Sequence, residues 1–252
     1  MAVKIGHASI DENYKVKGGK PGDQTKKEVV IRDWYNKPWN FVLRPKYKDL
    51  AEKSAKFCED VCKNENIGYN QNKRNTLHSL CKANGYNISK VGPCDTDCSA
   101  FMTVCAIAGG AKGLEYTGNA PTTSNMKNKF SKYYNILSDK KYTSSSDYLE
   151  RGDILLSVGH HTAMVLTDGT KVKKSVKNKN EKEPIFILVD QNVNCYYKVV
   201  GCKALNIRKG PGTNYDIIKS VKANTKYKIT EIKDGWAKCS IGWLSTKYLE
   251  KV

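Results

Sequence analysis

Cys98 is the residue of this chain whose type and setting come nearest to covalent chemistry. It stands in Asp97-Cys98-Ser99-Ala100-Phe101, where a turn after Gly92-Pro93 gives way to the run SAFMTVCAIA at residues 99–108, stopped by Gly109-Gly110. That run is apolar nearly all round and reads as a buried helix. A thiol at the first turn of such a helix gains from the N-terminal dipole, which favours the nucleophilic thiolate. A cysteine nucleophile also needs a base, and the candidates are His7, His78, His160 and His161. His161 opens the apolar run Thr162-Ala163-Met164-Val165-Leu166, so a strand would fix its backbone, while alternation sends His160 to the opposite side. The next strand-like run, residues 185–189, ends in Asp190-Gln191-Asn192. In a hairpin the end of the second strand lies beside the start of the first, so Asp190 or Asn192 can hydrogen-bond the imidazole and hold its tautomer. The chain thus offers a nucleophile (Cys98), a base (His161) and an orienting group (Asp190) in one order. The rival chemistry is a zinc site from Cys94, Cys98, His160 and His161. Its Cys-x3-Cys and adjacent-histidine spacings match no common finger, and neither a metal nor a cofactor is expected.

These residues need elements to position them. Residues 49–64 have the stripe of an amphipathic helix, with Cys58 and Cys62 beside Ala51, Ser54, Ala55 and Val61, and buried core thiols are the plain reading there. A second helix is expected over residues 72–84, ended by Gly85. Residues 154–156, 162–167 and 185–189 read as short strands, the last two as a hairpin with a lysine-rich loop. A helix-rich half followed by a sheet-rich half is α+β ordering. Residues 1–44, rich in Gly, Lys and Asp, read as an irregular arm pinned by Trp34, Tyr35, Trp39 and Phe41. From about Val199 short alternating runs such as Tyr227-Lys228-Ile229-Thr230-Glu231-Ile232 are separated by Gly, Asn and Asp turns, the texture of a small barrel.

Composition narrows the classes. A chain of 252 residues has room for one large or two ordinary domains, and 39% hydrophobic with 27% charged residues is the range of folded soluble proteins. No apolar run is long enough to span a bilayer, and MAVKIGHASIDENYK lacks the apolar stretch of a signal peptide. Nine cysteines without such a signal argue for reduced thiols. The net charge of +18 calls for a polyanionic partner. The lysines are spread over both halves with no nucleic-acid signature, so anionic cell-wall polymers fit better than nucleic acid.

Asp97-Cys98-Ser99 with its following apolar helix resembles the nucleophile motif of NlpC/P60 peptidases. Gly159-His160-His161-Thr162-Ala163-Met164-Val165, followed by Val189-Asp190-Gln191-Asn192, is similar to CHAP domains, whose third position is often Glu or Asp in an E-Q-N-like run. The resemblance covers roughly residues 65–195, and Ala100 departs from the Gly usual in NlpC/P60. Tyr69, in Ile67-Gly68-Tyr69, resembles the tyrosine those enzymes place near the oxyanion, although a core tyrosine is the plainer reading. Leu205-Asn206-Ile207-Arg208 with Gly210-Pro211-Gly212-Thr213-Asn214-Tyr215, then Gly235-Trp236, Gly242-Trp243 and Lys247-Tyr248-Leu249, resembles bacterial SH3 (SH3b) domains.

The resemblances imply an α+β papain-like catalytic domain over residues 1–196, then a small all-β SH3-like barrel over residues 199–252. They imply a phage-endolysin-like peptidoglycan hydrolase that cleaves an amide bond through Cys98, His161 and Asp190. The expected partners are peptidoglycan and anionic wall polymers, with no nucleic acid and no membrane span. Such a protein is made in the bacterial cytoplasm and acts on the wall after release. The alternative is a wall-binding protein that kept the fold and lost turnover.

Overall fold

The computed structural model describes residues 2–172, 191–233 and 235–252, without the side chains of residues 191–194 and 233. The chain divides into two compact units, Met1–Lys174 and Ser175–Val252. The first is mixed α/β. In chain order it contains β1 (Lys4–Ala8), β2 (Val29–Asp33), β3 (Phe41–Pro45), α1 (Lys48–Cys62), β4 (Ile67–Tyr69), α2 (Thr76–Ala83), β5 (Cys94–Thr96) and α3 (Cys98–Ala108). It continues with α4 (Met126–Phe130), β6 (Tyr134–Leu137), α5 (Lys140–Thr143), β7 (Ile154–Ser157) and β8 (His161–Val165). Six of the strands form one sheet in the order β2-β1-β8-β7-β3-β6, and β4 pairs with β5 in parallel.

The sheet has two differently packed faces. On one, α1 and α3 lie against the strands. Gly6 of β1 admits α1 because it has no side chain: a Cβ there would sit 2.5 Å from the Cys58 sulfur. Leu50, Ser54, Ala55, Phe57, Cys58 and Val61 form the buried stripe of α1, and α3 is buried on every side from Cys98 to Ile107. On the other face Val3, Ile5, Val42, Leu155, Ala163 and Val165 meet Trp39 and Leu149. Burying a large aliphatic or aromatic side chain contributes roughly 1.5–3 kcal/mol, so these two layers supply most of what holds the unit together.

Residues 1–44, expected as an irregular arm, instead supply three of the six strands. Residues 9–28 are turns, as their Gly, Lys and Asp content implies. That charged stretch separates two five-residue strands too short to stand out from it. The aromatic residues Trp34, Tyr35 and Trp39 pack against the sheet face itself. Residues 185–189 and Asp190, expected as the second strand of a hairpin and its end, lie outside the described residues.

The second unit is an all-β sheet consistent with an SH3-like domain. It contains β9 (Gln191–Val199), β10 (Ala204–Arg208), β11 (Ile217–Lys222), β12 (Lys226–Lys233), β13 (Trp236–Lys238), β14 (Trp243–Ser245) and β15 (Leu249–Lys251), in the sheet order β11-β10-β14-β13-β12-β9-β15. Its core joins Ile207, Ile229, Ile232, Ala237 and Leu244 to Tyr197 and Val199. Alternation along Tyr227–Ile232 places Ile229 and Ile232 inside through a register shift between Ile229 and Glu231.

The strand β9 bears on where the chain can be cut. It lies between β12 and β15, so a boundary just before Val199 removes an internal strand and Tyr197 with it. A fragment of residues 175–252 is expected to unfold cooperatively in urea, and a fragment of residues 199–252 to show no cooperative transition. Equal stability of the two fragments would contradict this account of the sheet.

Candidate active site

The mouth of α3 is built around Asp97. Its backbone is extended and its carboxylate accepts the Ala100 N–H at 2.7 Å, capping the helix. Arg74 holds that carboxylate from the other side, with Nε on Oδ2 at 2.6 Å and Nη2 on Oδ1 at 3.2 Å. The same guanidinium donates to Ser99 Oγ at 2.7 Å and to the carbonyls of Ala120 and Pro121, both at 2.9 Å. Arg74 therefore ties the first turn of α3 to the loop before α4. A planar fork with five donors suits that task, and a lysine does not. Cys98 follows directly as the first helical residue. Its own N–H is one of the groups that a helix leaves without an internal acceptor.

Strand β8 brings His161 to this mouth. The two strands β1 and β8 pair through Ile5↔Val165 and Gly6↔Met164 only. The Leu166 N–H donates to the Lys4 carbonyl on β1, and period-two alternation turns the Met164 and Thr162 N–H groups the same way. At Thr162 no β1 partner remains, and the N–H is taken by the Cys98 sulfur instead. The thiol thus sits against the backbone next to His161. His161 is the first residue of β8, opposite Ser157, whereas His160 is exposed in the preceding turn.

The partner of His161 that the structure describes is His7. Their Nδ1 (His7) and Nε2 (His161) atoms are 3.0 Å apart, with the rings edge to face at 83°. His7 is 3% exposed, and its backbone N–H donates to the Cys62 sulfur of α1. The Trp39 ring lies 6.2 Å from that of His161, and the Tyr35 ring 6.3 Å from that of His7. Among the described residues no hydrogen bond engages His161 Nδ1. Sequence reasoning passed over His7, yet a signal was present. Val3, Ile5 and His7 alternate, which puts the imidazole on the same face as two core residues.

Burial sets the charge states. It lowers the His7 imidazole to about 3, helped by His161 and Arg32, and lowers His161 to about 4, helped by Lys37 and Arg32. Burial also pushes the Cys98 thiol up to about 12, with Asp97 adding to it and the Thr162 and Ser99 N–H groups opposing. At neutral pH the resting site is therefore a neutral thiol beside two neutral imidazoles. The thiolate expected from the helix dipole is not the resting form, because desolvation and the capping carboxylate outweigh it.

The remaining candidates separate from this cluster. His78 bonds Glu115 at 3.1 Å and stacks on Tyr116. Tyr69 is buried, receives a 3.3 Å bond from the Gln71 side chain, and has its phenol raised by burial and by Cys98 nearby. Cys94 is buried in β5 beside Cys81. Among the described residues no group of three or more His, Cys, Asp or Glu is placed to hold a metal ion, and no helix is long and apolar enough to cross a membrane. All nine cysteines are free thiols.

The endolysin-like domain family matches residues 5–172, more than half of the chain, and the chain belongs to it. A bacterial SH3 domain matches residues 203–250. The first span contains His7, Arg74, Cys98 and His161 and ends before Asp190. No curated protein matches the chain. An endolysin-like domain joined to a bacterial SH3 domain points to a lysin-like protein that acts on peptidoglycan.

Arg74→Met leaves the Asp97 carboxylate in place without its cation. Breaking a buried pair in this way costs roughly 3–5 kcal/mol. The variant is expected to lower the urea midpoint and to reduce kcat on walls more than KM, because the helix mouth loses its position. Arg74→Lys keeps the charge and should recover part of the stability. Wild-type kcat in folded Arg74→Met would show that the clamp does not position Cys98.

Proposed function

We propose that this protein is a cysteine-dependent peptidoglycan amidohydrolase with papain-like architecture, carried to the wall by its SH3 unit. The observation that carries the reading is the Cys98 sulfur at the mouth of a buried helix, against the backbone beside His161. NlpC/P60 and CHAP enzymes, which the sequence resembles, use this pairing of a helix-start cysteine with a strand-start histidine.

The tautomers follow from the role given to His161. With the thiol proton to be accepted at His161 Nδ1, the ring proton lies on Nε2 and is donated to His7 Nδ1. His7, held neutral by burial, remains an acceptor when His161 becomes an imidazolium. In the first half-reaction His161 takes the Cys98 proton and the sulfur attacks the amide carbon. The resulting oxyanion is met by the Cys98 N–H, with the Tyr69 hydroxyl as a second donor. His161 then protonates the leaving nitrogen, the C–N bond breaks and a thioester remains. In the second half-reaction water loses a proton to His161, attacks the thioester and releases the carboxylic acid with the restored thiol. His7 orients the base in this scheme, the role that the sequence alone gives to Asp190.

Six variants test these roles on purified walls. Cys98→Ser should stay folded and lose lysis, and iodoacetamide should inactivate the wild type in parallel with alkylation. His161→Ala should lose activity while His160→Ala keeps a substantial fraction. His7→Ala should lose roughly 10²-fold or more in kcat, the size typical of general acid–base contributions, with Asp190→Ala milder. A folded Cys98→Ala protein that still lyses walls would end the cysteine reading, and wild-type protein that binds walls without lysing them would leave the wall-binding alternative. A deeper loss in Asp190→Ala than in His7→Ala would return the orienting role to Asp190.

The pH profile is a separate check. His161 must be neutral to accept the thiol proton, so activity is present above its pKa and lost as pH falls through about 4. An acid limb of kcat/KM with its midpoint near 4, instead of near the unperturbed value of about 6.5, is the expected result on a soluble muropeptide. Fold stability runs the same way. The unfolded chain protonates His7 and His161 below pH of about 6.5 while the folded one resists down to about 3 and 4, so stability present above 6.5 is lost progressively below it. Circular dichroism at each pH separates the two effects. A limb at pH 6–7 in folded protein would contradict the burial account.

A further inference from the structure

The sheet face that carries the two imidazoles also carries a cation, Arg32, that forms no ion pair among the described residues. In the β1–β2 pairing Arg32 stands opposite Ile5, and His7 opposite Val30. Directly opposed residues share a face, so Arg32 is the diagonal cross-strand neighbour of His7. Its guanidinium lies 4.7 Å over the Tyr35 ring, and Tyr35 is the ring that flanks both His7 and Trp39. Lys37, in the segment between Tyr35 and Trp39, bears on the same place. Both cations lower the His161 imidazole, and Arg32 also lowers His7. Neither forms an ion pair among the described residues, and the nearest acid in sequence, Asp33, pairs with Lys4 at 2.7 Å.

Two unpaired cations beside a catalytic base oppose the reaction, because they disfavour the imidazolium that the base must become. A bound anion removes that penalty and contributes its own attraction. Position says which half of a substrate would bring it. His161 hands its proton to the leaving nitrogen, so the amine half of the substrate lies on the His161 side of Cys98. The acyl half lies over the sulfur and the mouth of α3. Arg32 is on β2, the strand beyond β1 from His161, and Lys37 is in the segment between the Tyr35 and Trp39 rings, its carbonyl accepting the Trp39 N–H.

We propose that Arg32 and Lys37 form a subsite for a free carboxylate carried by the amine half of the scissile bond. The proposal rests on Cys98 and His161 being the hydrolytic pair, and it names the substrate class. The substrate is a stem peptide whose leaving segment keeps an unamidated carboxylate, at its C-terminus or on a side chain. Amidation of that group, which removes the charge and leaves the shape, would make the bond a poor substrate. The Arg32 stack on Tyr35 keeps the guanidinium plane in place while leaving its edge to a ligand.

Binding separates the subsite from the chemistry. Full-length Cys98→Ala protein is titrated with a synthetic stem peptide, L-Ala-D-Glu-L-Lys-D-Ala, and with the same peptide converted to carboxamides at its carboxylates. The free-acid peptide should bind roughly tenfold or more tightly, the range of a hydrogen bond to a charged group. Arg32→Gln with Lys37→Gln should bring the two peptides to one affinity. Peptides amidated at a single position identify the carboxylate concerned. Because the chain carries a net charge of +18, each titration is repeated at high salt and with Lys219→Gln/Lys222→Gln as the control. Only a preference that survives both supports the subsite. Equal affinity for the two peptides, no saturable binding of either, or an equal loss of both in the Arg32/Lys37 variant would overturn it. If the preference is found but wild-type protein releases no product from walls, the subsite stands and the hydrolase reading fails.

Discussion

The short pairing of β1 with β8 is the constraint on which the site depends. Because the two strands are in register only at Ile5↔Val165 and Gly6↔Met164, the Thr162 N–H faces a gap where a further β1 acceptor would have been. The Cys98 sulfur bonds the Thr162 N–H there, so the place where the sheet opens is the place where the thiol enters. Longer pairing would satisfy Thr162 within the sheet and leave the thiol no backbone donor. A β1 shifted by one residue would move His7 to the helix face, since side chains alternate. Gly6 enforces the register, because any side chain there would collide with Cys58.

A site assembled in this way is costly and must be held from outside. Two imidazoles and a thiol are buried in forms that resist ionisation, and the Asp97 carboxylate adjoining Cys98 makes a thiolate harder still. The helix cap requires that carboxylate, and Arg74 opposes its effect on the thiol while donating to both of its oxygens. The same guanidinium fixes Ser99 and the Ala120–Pro121 carbonyls, so cap, cation and loop form one unit. Electrostatic neutrality at the mouth is thus obtained by pairing, while Arg32 and Lys37 form no ion pair among the described residues.

The sequence displayed the parts whose signals are local. The helix at Cys98–Ala108 was readable from eight apolar residues in the ten of 99–108 and a double-glycine stop, α1 from its stripe, and the second unit from alternating runs and glycine turns. What escaped was non-local. β1, β2 and β3 are each five residues long and separated by charged turns, so periodicity alone could not raise them above the Gly- and Lys-rich background. His7 was undervalued for the same reason, since its partner is 154 residues away and only strand pairing brings the two together. The expected boundary between residues 196 and 199 falls inside β9 (Gln191–Val199), whose Tyr197 and Val199 complete the second core. Charge states were also beyond local reading. A helix dipole can be inferred from a sequence, but the burial that outweighs it cannot.

In the proposed reaction the resting charge states make the chemistry conditional on the substrate. A protonated thiol beside a weakly basic imidazole exchanges its proton unfavourably in the free protein, so alkylation by a small electrophile such as iodoacetamide is slow. Two features lie where charge develops during acylation: the N–H groups at the mouth of α3, facing an oxyanion, and the cations Arg32 and Lys37, facing the leaving half. An amide that meets the first alone gains stabilisation of the oxyanion while the imidazolium still faces two positive charges. An amide that also brings an anion to the second removes that opposition at the moment the imidazolium forms. Binding energy is then expressed in the transition state instead of the ground state, the condition under which it raises kcat. On this argument the buried, neutral Cys98 is a selective nucleophile whose reactivity is supplied by the charge pattern of the stem peptide it receives.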